Sequence, residues 1–257
     1  SDGGTDDGDD GSGNSFVSQD KIRRRGSDIR LQHGAGRVFT TVGLAYELQD
    51  QRSQAQSQST FGPFYSLFNA SRQNTGGYVE VVLSATDRLT ATIGGRVDDN
   101  ERFGTFTTSR AGVSWRPFTA TRLRVSGGNA FREPSFFENY ATGFVAGNPG
   151  LRAEEARSLD AGIEQDLFEG RASVMITAFG QRFRDMIDYS GANACGFSYC
   201  NIAVVTSNGI ETEANGRVIR GLRASVSATF LATDVVTPGY DTTAGGQYKA
   251  GEALIRR

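Results

Sequence analysis

Few residues of this chain have side chains that could do chemistry, and they do not cluster along the sequence. The single histidine, His33, stands near a predicted turn, where a lone imidazole is usually solvated. No group of His and Cys has metal-ligand spacing, and no Gly-rich phosphate loop lies between a strand and a helix. Serine is abundant, but none has an obvious base to activate it. We therefore predict no catalytic residue, no metal site, no cofactor and no enzymatic activity.

The N-terminal segment, Ser1 to Asn14, contains a cluster of carboxylates. Its four central aspartates could in principle hold a calcium ion, because hard cations prefer carboxylate oxygens. Their spacing fits no EF-hand loop, and the segment has no apolar residue to bury. We predict a disordered external loop here, with calcium binding as the open alternative. The aspartates are Asp6, Asp7, Asp9 and Asp10.

The totals restrict the class of protein. The chain has 257 residues, a formal net charge of −2 and 37% hydrophobic residues. No apolar run reaches the roughly 18 residues that a membrane-spanning helix needs. The balanced charge gives no electrostatic footprint for nucleic acid, and we predict no such partner. A membrane β-barrel stays possible, because only alternate residues of its strands face lipid.

Hydrophobic residues alternate with polar residues along most of the chain, which is the period of a β-strand. The clearest hairpin joins Tyr78–Ala85 to Leu89–Asp98 through a turn at Asp87-Arg88. The pattern predicts about eleven strands, with short turns that alternate with long loops. One such loop is the polar stretch Asp50–Thr60. The other short turns are predicted at Phe118, Glu169 and Arg220.

Alternating connection lengths favour a transmembrane antiparallel up-and-down barrel, which has tight turns on one side and long loops on the other. The face opposite the apolar one repeatedly carries Arg, Asp, Glu, Ser and Thr, as the polar lumen of a wide barrel requires. A soluble β-sandwich or adhesin module could show a polar solvent face too. That alternative and a passive outer-membrane porin both remain open at this point.

The longest connection, Asn129 to Gln165, resembles the late-barrel segment of TonB-dependent outer-membrane receptors. The likeness lies in FREPSFFENY, in GNPGL, and in the acidic residue that leads into SLDAGIEQ. A second likeness lies downstream, in NGIETE. The residues that fall on the family pattern are Phe131, Arg132, Pro134, Glu138, Tyr140, Gly147, Asn148, Pro149, Leu151, Glu154, Gly209 and Glu211.

This resemblance implies that residues 1–257 are a barrel domain, about half of a barrel of about 22 strands, without the plug that fills its lumen. Both ends of the chain look cut. Such receptors lie in the outer membrane of Gram-negative bacteria and contact its lipid. They import scarce nutrients such as ferric siderophores or cobalamin, energised by TonB through an N-terminal region that is missing here. An isolated half-barrel would expose unpaired edges, so we expect no transport by this chain alone.

The resemblance also assigns candidate ligand-facing residues to external loops. Exposed aromatic rings there can stack on a planar ligand, or they can pack on neighbouring loops. Cys195 and Cys200 fall in one such loop, and an even cysteine count in an exported protein predicts a disulfide. The sequence does not decide between ligand recognition and protease resistance for that loop. The candidate aromatic residues are Phe136, Phe137, Tyr140, Phe144, Phe197 and Tyr199.

Overall fold

A computed structural model describes residues 2–7, 15–59, 62–143, 145–190, 196, 198–202, 204–238 and 249–254 of the chain. Within them lie thirteen strands and one short helix. The elements are β1 Asp2–Asp7, β2 Ser15–Ala35, β3 Val38–Ser59, β4 Gly62–Thr86, β5 Leu89–Asn100, β6 Gly104–Phe118, β7 Thr121–Arg132, α1 Phe136–Tyr140, β8 Glu154–Leu167, β9 Ala172–Arg184, β10 Met186–Ser190, β11 Ser198–Ile202, β12 Val204–Ile219 and β13 Leu222–Thr237.

Eleven strands form one antiparallel sheet in the order β1 to β9, then β12 and β13. Each strand pairs with the one that follows it, except that β10 and β11 leave the sheet between β9 and β12 and pair with each other. This is the predicted up-and-down topology. A sandwich would need two packed sheets, whereas the described strands form one continuous wall and a small hairpin.

The predicted tight turns join the strands at one end of the sheet. Turns occur at Asp87-Arg88, between β6 and β7, and at Gly221. The turn after β8 places Phe168, Glu169 and Gly170 at φ values of 50°, 57° and 78°. Glycine tolerates this left-handed region without steric cost, so Gly170 ends a turn that the two bulkier residues begin.

The two faces of the sheet differ in chemistry. One face exposes large apolar side chains, whose exposed fractions include 62% for Leu159, 63% for Ile93 and 71% for Phe230. The other face is polar: Arg122 and Arg124 both bind Glu164, at 2.9 Å and 2.7 Å. An apolar outer face and a polar inner face are the arrangement of a transmembrane barrel wall.

No helix in the described ranges is long and apolar enough to cross a membrane.

One of the predicted long loops is strand instead. The polar stretch Asp50–Thr60 was expected to end a strand, but β3 continues to Ser59, and β4 begins at Gly62. Residues 50–58 pair with both β2 and β4 through backbone groups, so the ladder needs no apolar side chains to persist. β5 and β6 are likewise joined by three residues, 101–103. The wall therefore rises well above the roughly ten residues that span a bilayer.

The prediction of a disordered loop for Ser1–Asn14 is wrong for its first part. Asp2–Asp7 forms β1, which pairs with Phe16–Lys21 of β2. The long edge of β2 offers backbone donors and acceptors to any extended segment, whatever its side chains. Asp9 and Asp10 lie outside the described residues.

Strand β9 ends at Arg184, because the next residue, Asp185, has a φ of 54°. This left-handed residue turns the chain out of the main sheet, and β10 begins at the next residue. Asp and Asn adopt this conformation more readily than other non-glycine residues. The break releases β10 to pair with β11 above the wall.

Candidate functional site

The segment between β7 and β8 folds over the end of the sheet opposite the tight turns. Its single helical turn, α1, has a complete capping box. Glu138 N donates to Ser135 Oγ (3.2 Å), and Ser135 N donates to Glu138 Oε2 (2.6 Å). Serine followed three residues later by glutamate is the sequence signature of a capped helix start. The box fixes the direction in which the chain leaves β7.

Arg132, at the end of β7, binds two glutamates at once. Its Nε and Nη2 donate to the Glu154 carboxylate at 2.5 Å and 2.9 Å, and Nη2 also donates to Glu138 Oε1 at 3.2 Å. The two glutamate side chains are only 19% and 15% exposed. The planar guanidinium can serve both carboxylates because it has five donors in a fixed plane. Arg132 thus ties α1 to the start of β8.

Arg72 of β4 holds the other side of this segment. Its Nη1 donates to Pro134 O (2.6 Å), and its Nε lies 3.3 Å from Glu133 Oε2. Its guanidinium also stacks 4.6 Å above the Phe136 ring. Asn100 Nδ2 completes the arrangement with a 2.7 Å hydrogen bond to Glu133 Oε1. These contacts cross two intervening strands, so they fold the segment over the polar face.

Gly147 permits the closest approach within the segment. A Cβ there would lie 2.5 Å from Tyr140 N and 2.6 Å from Ala141 N, which are backbone atoms that cannot move aside. Gly147 N donates to Ala141 O (2.7 Å). Beside it, the buried Asn139 side chain donates to Asn148 O (2.9 Å). The chain after α1 is therefore folded tightly back on the helix.

The β10–β11 hairpin docks on this segment through a series of polar contacts. Asn148 Nδ2 donates to Tyr199 O (2.9 Å), and Ser198 Oγ donates to Ala146 O (2.7 Å). Asn201 binds both the N–H and the carbonyl of Arg152, at 2.8 Å and 2.9 Å. We call residues 133–153 with β10 and β11 the loop unit, since these contacts join two loops that are distant in sequence.

Aromatic rings line one side of the loop unit. Phe137 is 41% exposed and lies edge-on to Phe68 of β4 and to Tyr199, with ring centroids 6.4 Å and 6.1 Å apart. Tyr199 in turn meets Tyr189 at 5.8 Å. The row runs from the wall to the hairpin and presents Phe137 at its centre.

Below the loop unit, a cleft of about 480 Å³ lies on the polar face of β2 to β7. Tyr78 forms its floor: its ring lies over Gly43, where a Cβ would come within 2.2 Å. Its hydroxyl accepts from Arg30 Nε (3.0 Å) and donates to Asp28 Oδ2 (3.1 Å). Arg96 stacks 5.6 Å from the same ring. The cleft is thus a charged, hydrogen-bonding surface.

The structure separates the predicted ligand-facing aromatic residues. Phe136 is 5% exposed, so its expected exposure is wrong: it packs beneath the Arg72 guanidinium and beside Tyr140. Tyr140 is half-buried, and Arg102 stacks 5.7 Å from it. Phe137 and Tyr199 are brought together, as described above. Phe144 and Phe197 lie outside the described residues.

Cys200 is disulfide-bonded, and Cys195 lies outside the described residues. Two other predicted positions, Gly209 and Glu211, lie on the wall in β12 rather than in the loop unit. The Phe179 ring lies across β12 at Gly209, because glycine has no side chain there. A Cβ on residue 209 would come within 2.5 Å of the ring.

The remaining family-pattern residues have structural roles at the segment. Pro134 and Leu151 are buried, and Pro149 O accepts from Arg102 Nη2 at 3.3 Å. Phe131 stacks on Phe106 with 4.2 Å between ring centroids. These contacts hold the segment but do not themselves define a ligand site.

Sequence reasoning missed Arg72 and Asn100, which receive the segment, and Asn139 within it. The positions of Arg72 and Asn100 depend on contacts across intervening strands, which no local pattern encodes. One missed feature did have a local signal, because Ser135 and Glu138 stand at capping-box spacing.

Burial raises the pKa of Glu133 above its ordinary value, against the opposing effects of Arg72 and Asn100. Glu133 lies beyond the end of β7, outside the membrane-spanning segments. The folded state therefore binds this proton more tightly than the unfolded state, and this stabilising contribution is complete below the ordinary pKa. It is lost as pH rises through the raised pKa.

We expect hydrogen-exchange protection of residues 133–141 to fall as pH rises through that window, after correction for intrinsic exchange rates. Glu133→Gln should remove this step, because its amide does not titrate. Its protection should stay near the low-pH level of the unmodified protein at every pH, because a neutral amide resembles the protonated acid that the folded state favours. An unchanged pH profile in Glu133→Gln would contradict the assignment.

Comparison with known proteins agrees with this architecture. Residues 1–252 match the family described as "TonB dependent receptor-like, beta-barrel". The vitamin B12 transporter BtuB of Vibrio vulnificus (strain YJ016) is 27% identical over 174 residues, which cover 67% of this chain and 27% of the relative. The chain thus spans about a quarter of that protein's length.

Solved structures show the same fold. The copper transporter OprC superimposes with a TM-score of 0.71 at 14% identity, over 87% of this chain and 39% of that one. The siderophore receptor PirA of Pseudomonas aeruginosa gives 0.63 at 17%, over 87% and 47%. The ferric yersiniabactin uptake receptor FyuA of Yersinia pestis gives 0.67 at 12%, over 87% and 37%.

The fold and its two contrasting faces define a partial wall of a transmembrane up-and-down β-barrel. The family match extends over almost the whole chain. The chain belongs to the TonB-dependent receptor family, in its β-barrel part.

Proposed function

We propose that this chain is part of an outer-membrane receptor that imports a scarce nutrient, a ferric siderophore or cobalamin, with energy supplied through TonB. The observation that carries the proposal is the loop unit folded over the polar face of the wall. A passive pore needs an open lumen, whereas these two loops are tied together and to the wall through Arg132, Arg72 and Asn148.

The polar face has the chemistry expected of a wall that packs against a plug. Arg122 and Arg124 share Glu164, Arg110 pairs with Glu80, and Tyr78 joins Asp28 to Arg30. These ion pairs can be replaced by contacts with a polar plug domain at little cost in free energy. The reason is that the side chains are partly solvated both before and after the replacement. We assign this face to plug contact and the loop unit to ligand contact.

Iron chelates and cobalamin are the first ligand classes to test, because relatives of this chain are named for them. One curated relative is a vitamin B12 transporter, and two of the structural relatives are a siderophore receptor and a ferric yersiniabactin uptake receptor. The exposed ring of Phe137, at the centre of the aromatic row, would contact a planar or chelate ligand.

The test uses the full-length receptor in detergent, titrated with a panel of ferric siderophores and with cobalamin, followed by uptake in cells with and without TonB. We expect saturable, tight binding of one ligand class and uptake only with TonB. Uptake that rises linearly with concentration, is independent of TonB and lacks saturable binding would instead indicate a passive pore.

A further inference from the structure

Two arginines face each other on the apolar side of the sheet. Arg157 of β8 lies directly opposite Arg182 of β9 in the antiparallel register. Alternation puts Arg157 on the same face as Leu159, which is 62% exposed, and Arg182 on the same face as Ile176, which is 45% exposed. Both arginines are exposed. This face is the one assigned to lipid.

Neither arginine has a hydrogen-bond or ion-pair partner among the residues that the structure describes. Like charges at directly opposed positions repel and destabilise a sheet. Arg122 and Arg124, on the other face, share the Glu164 carboxylate. The next cross-strand pair on the lipid side, Glu155 and Arg184, is of opposite charge. An anion from outside the chain would offset the repulsion between Arg157 and Arg182.

Their height on the wall indicates what that anion is. Arg157 precedes the end of β8 at Leu167 by ten residues, and Arg182 follows the start of β9 at Ala172 by ten. Ten tilted strand residues rise roughly 25 Å, which is the height of the apolar band of an outer-membrane barrel. Arg25 stands at the same distance from the end of β2 at Ala35. The pair is therefore level with lipid headgroups, on the side of the loop unit.

We propose that Arg157 and Arg182 bind the phosphate of an anionic lipid in the membrane leaflet on the loop-unit side. Two guanidinium groups across adjacent strands can each donate two hydrogen bonds to a phosphate. The exposed Leu159 and Ile176 lie on the bilayer side of the pair, where the acyl chains of the same molecule contact them. The proposal rests on the proposed membrane location of the receptor.

The test compares lipid binding by the full-length receptor and by the double variant Arg157→Gln/Arg182→Gln. Native mass spectrometry counts bound lipid as each protein, in nonionic detergent, is titrated with phosphatidic acid or with phosphatidylcholine of the same chains. A basic side chain near an anionic surface changes affinity roughly fivefold, so we expect the variant to bind phosphatidic acid about 30-fold more weakly. Binding of phosphatidylcholine should be unchanged.

The matched control is Arg217→Gln/Arg223→Gln. These arginines are also directly opposed, but on the polar face at the tight-turn end, where Asp166 and Glu169 share their cleft. We expect this control to bind phosphatidic acid as the unmodified receptor does. Equal weakening in both double variants would overturn the site, because it would reflect net charge alone.

Two further readouts separate the possible failures. Inorganic phosphate at the concentration of the lipid should not compete; equal competition would assign the pair to free phosphate and overturn the lipid proposal. Heat-modifiable gel migration of each variant reports whether the barrel has formed. Normal migration with unchanged lipid affinity would contradict the lipid site alone, whereas the absence of any detergent-dependent folded form would contradict the membrane location.

Discussion

Arg132→Ala should release the loop unit from the wall in the full-length receptor. The substitution leaves Glu138 and Glu154, 15% and 19% exposed, without their cation. Leaving two partly buried carboxylates unpaired costs about 2–3 kcal/mol. Glu154 Oε1 also accepts from Ile187 N (2.6 Å), so the loss should reach the β10–β11 hairpin. Hydrogen exchange at Ile187 should accelerate by about 30- to 150-fold, and ligand affinity should fall with it.

Arg110→Ala is the matched control for this prediction. Arg110 also pairs with a glutamate, Glu80, but its own side chain is 70% exposed, and exposed pairs contribute about 0–1 kcal/mol. It should leave exchange at Ile187 unchanged. Arg132→Lys should recover only part of the protection, because an ammonium cannot serve both carboxylates in one plane. Full protection in Arg132→Ala would show that the capping box and hairpin contacts hold the loop unit alone.

Gly147→Ala adds one methyl group, and we expect it to destabilise the loop unit more than the same addition elsewhere in that unit. The added Cβ would lie within 2.6 Å of backbone atoms of residues 139–141, where no side chain can rotate away. Overpacking of this kind costs about 3 kcal/mol or more, and relief requires the chain after α1 to move off the helix. That movement would break the contacts of Asn139 and Asn148. We expect loss of ligand binding while the barrel still forms.

Gly95→Ala is the matched control for the second prediction. The nearest atom to a Cβ at Gly95 is Thr108 O, 3.8 Å away, which is an ordinary contact distance. This variant should bind ligand as the unmodified receptor does. If Gly147→Ala also binds normally and keeps its exchange protection at residues 139–148, then the tight fold after α1 does not hold the ligand-contact surface.

Most of the wall could be predicted from the sequence because its determinants are local. Alternation in Tyr78–Ala85 and Leu89–Asp98 and the turn at Asp87-Arg88 appear directly in β4 and β5. Alternation was a poor guide to strand ends. Asp50–Ser59 has a polar pattern but remains in the sheet, because pairing with its neighbours depends on backbone groups that every residue carries.

The loop unit was much less predictable. Its motif residues could be named, but Phe136 was expected to be exposed and is buried under Arg72, sixty-four positions earlier in the chain. Asn201 in β11 joins Arg152 O to Asp185 O, a contact between two loops that alternation does not predict. Contacts of this kind depend on the order of strands in the wall. The alternation of side chains along a strand carries no information about which loops meet above the wall.

The most direct test of the central claim is whether the full-length protein forms a closed membrane barrel. The protein is refolded with and without detergent micelles and run unheated and heated on a denaturing gel. We predict a faster-migrating, heat-modifiable form only in detergent, because the apolar face bearing Ile93, Leu159 and Phe230 must be covered by lipid or detergent. A folded, soluble monomer without detergent would contradict the assignment of that face to the membrane.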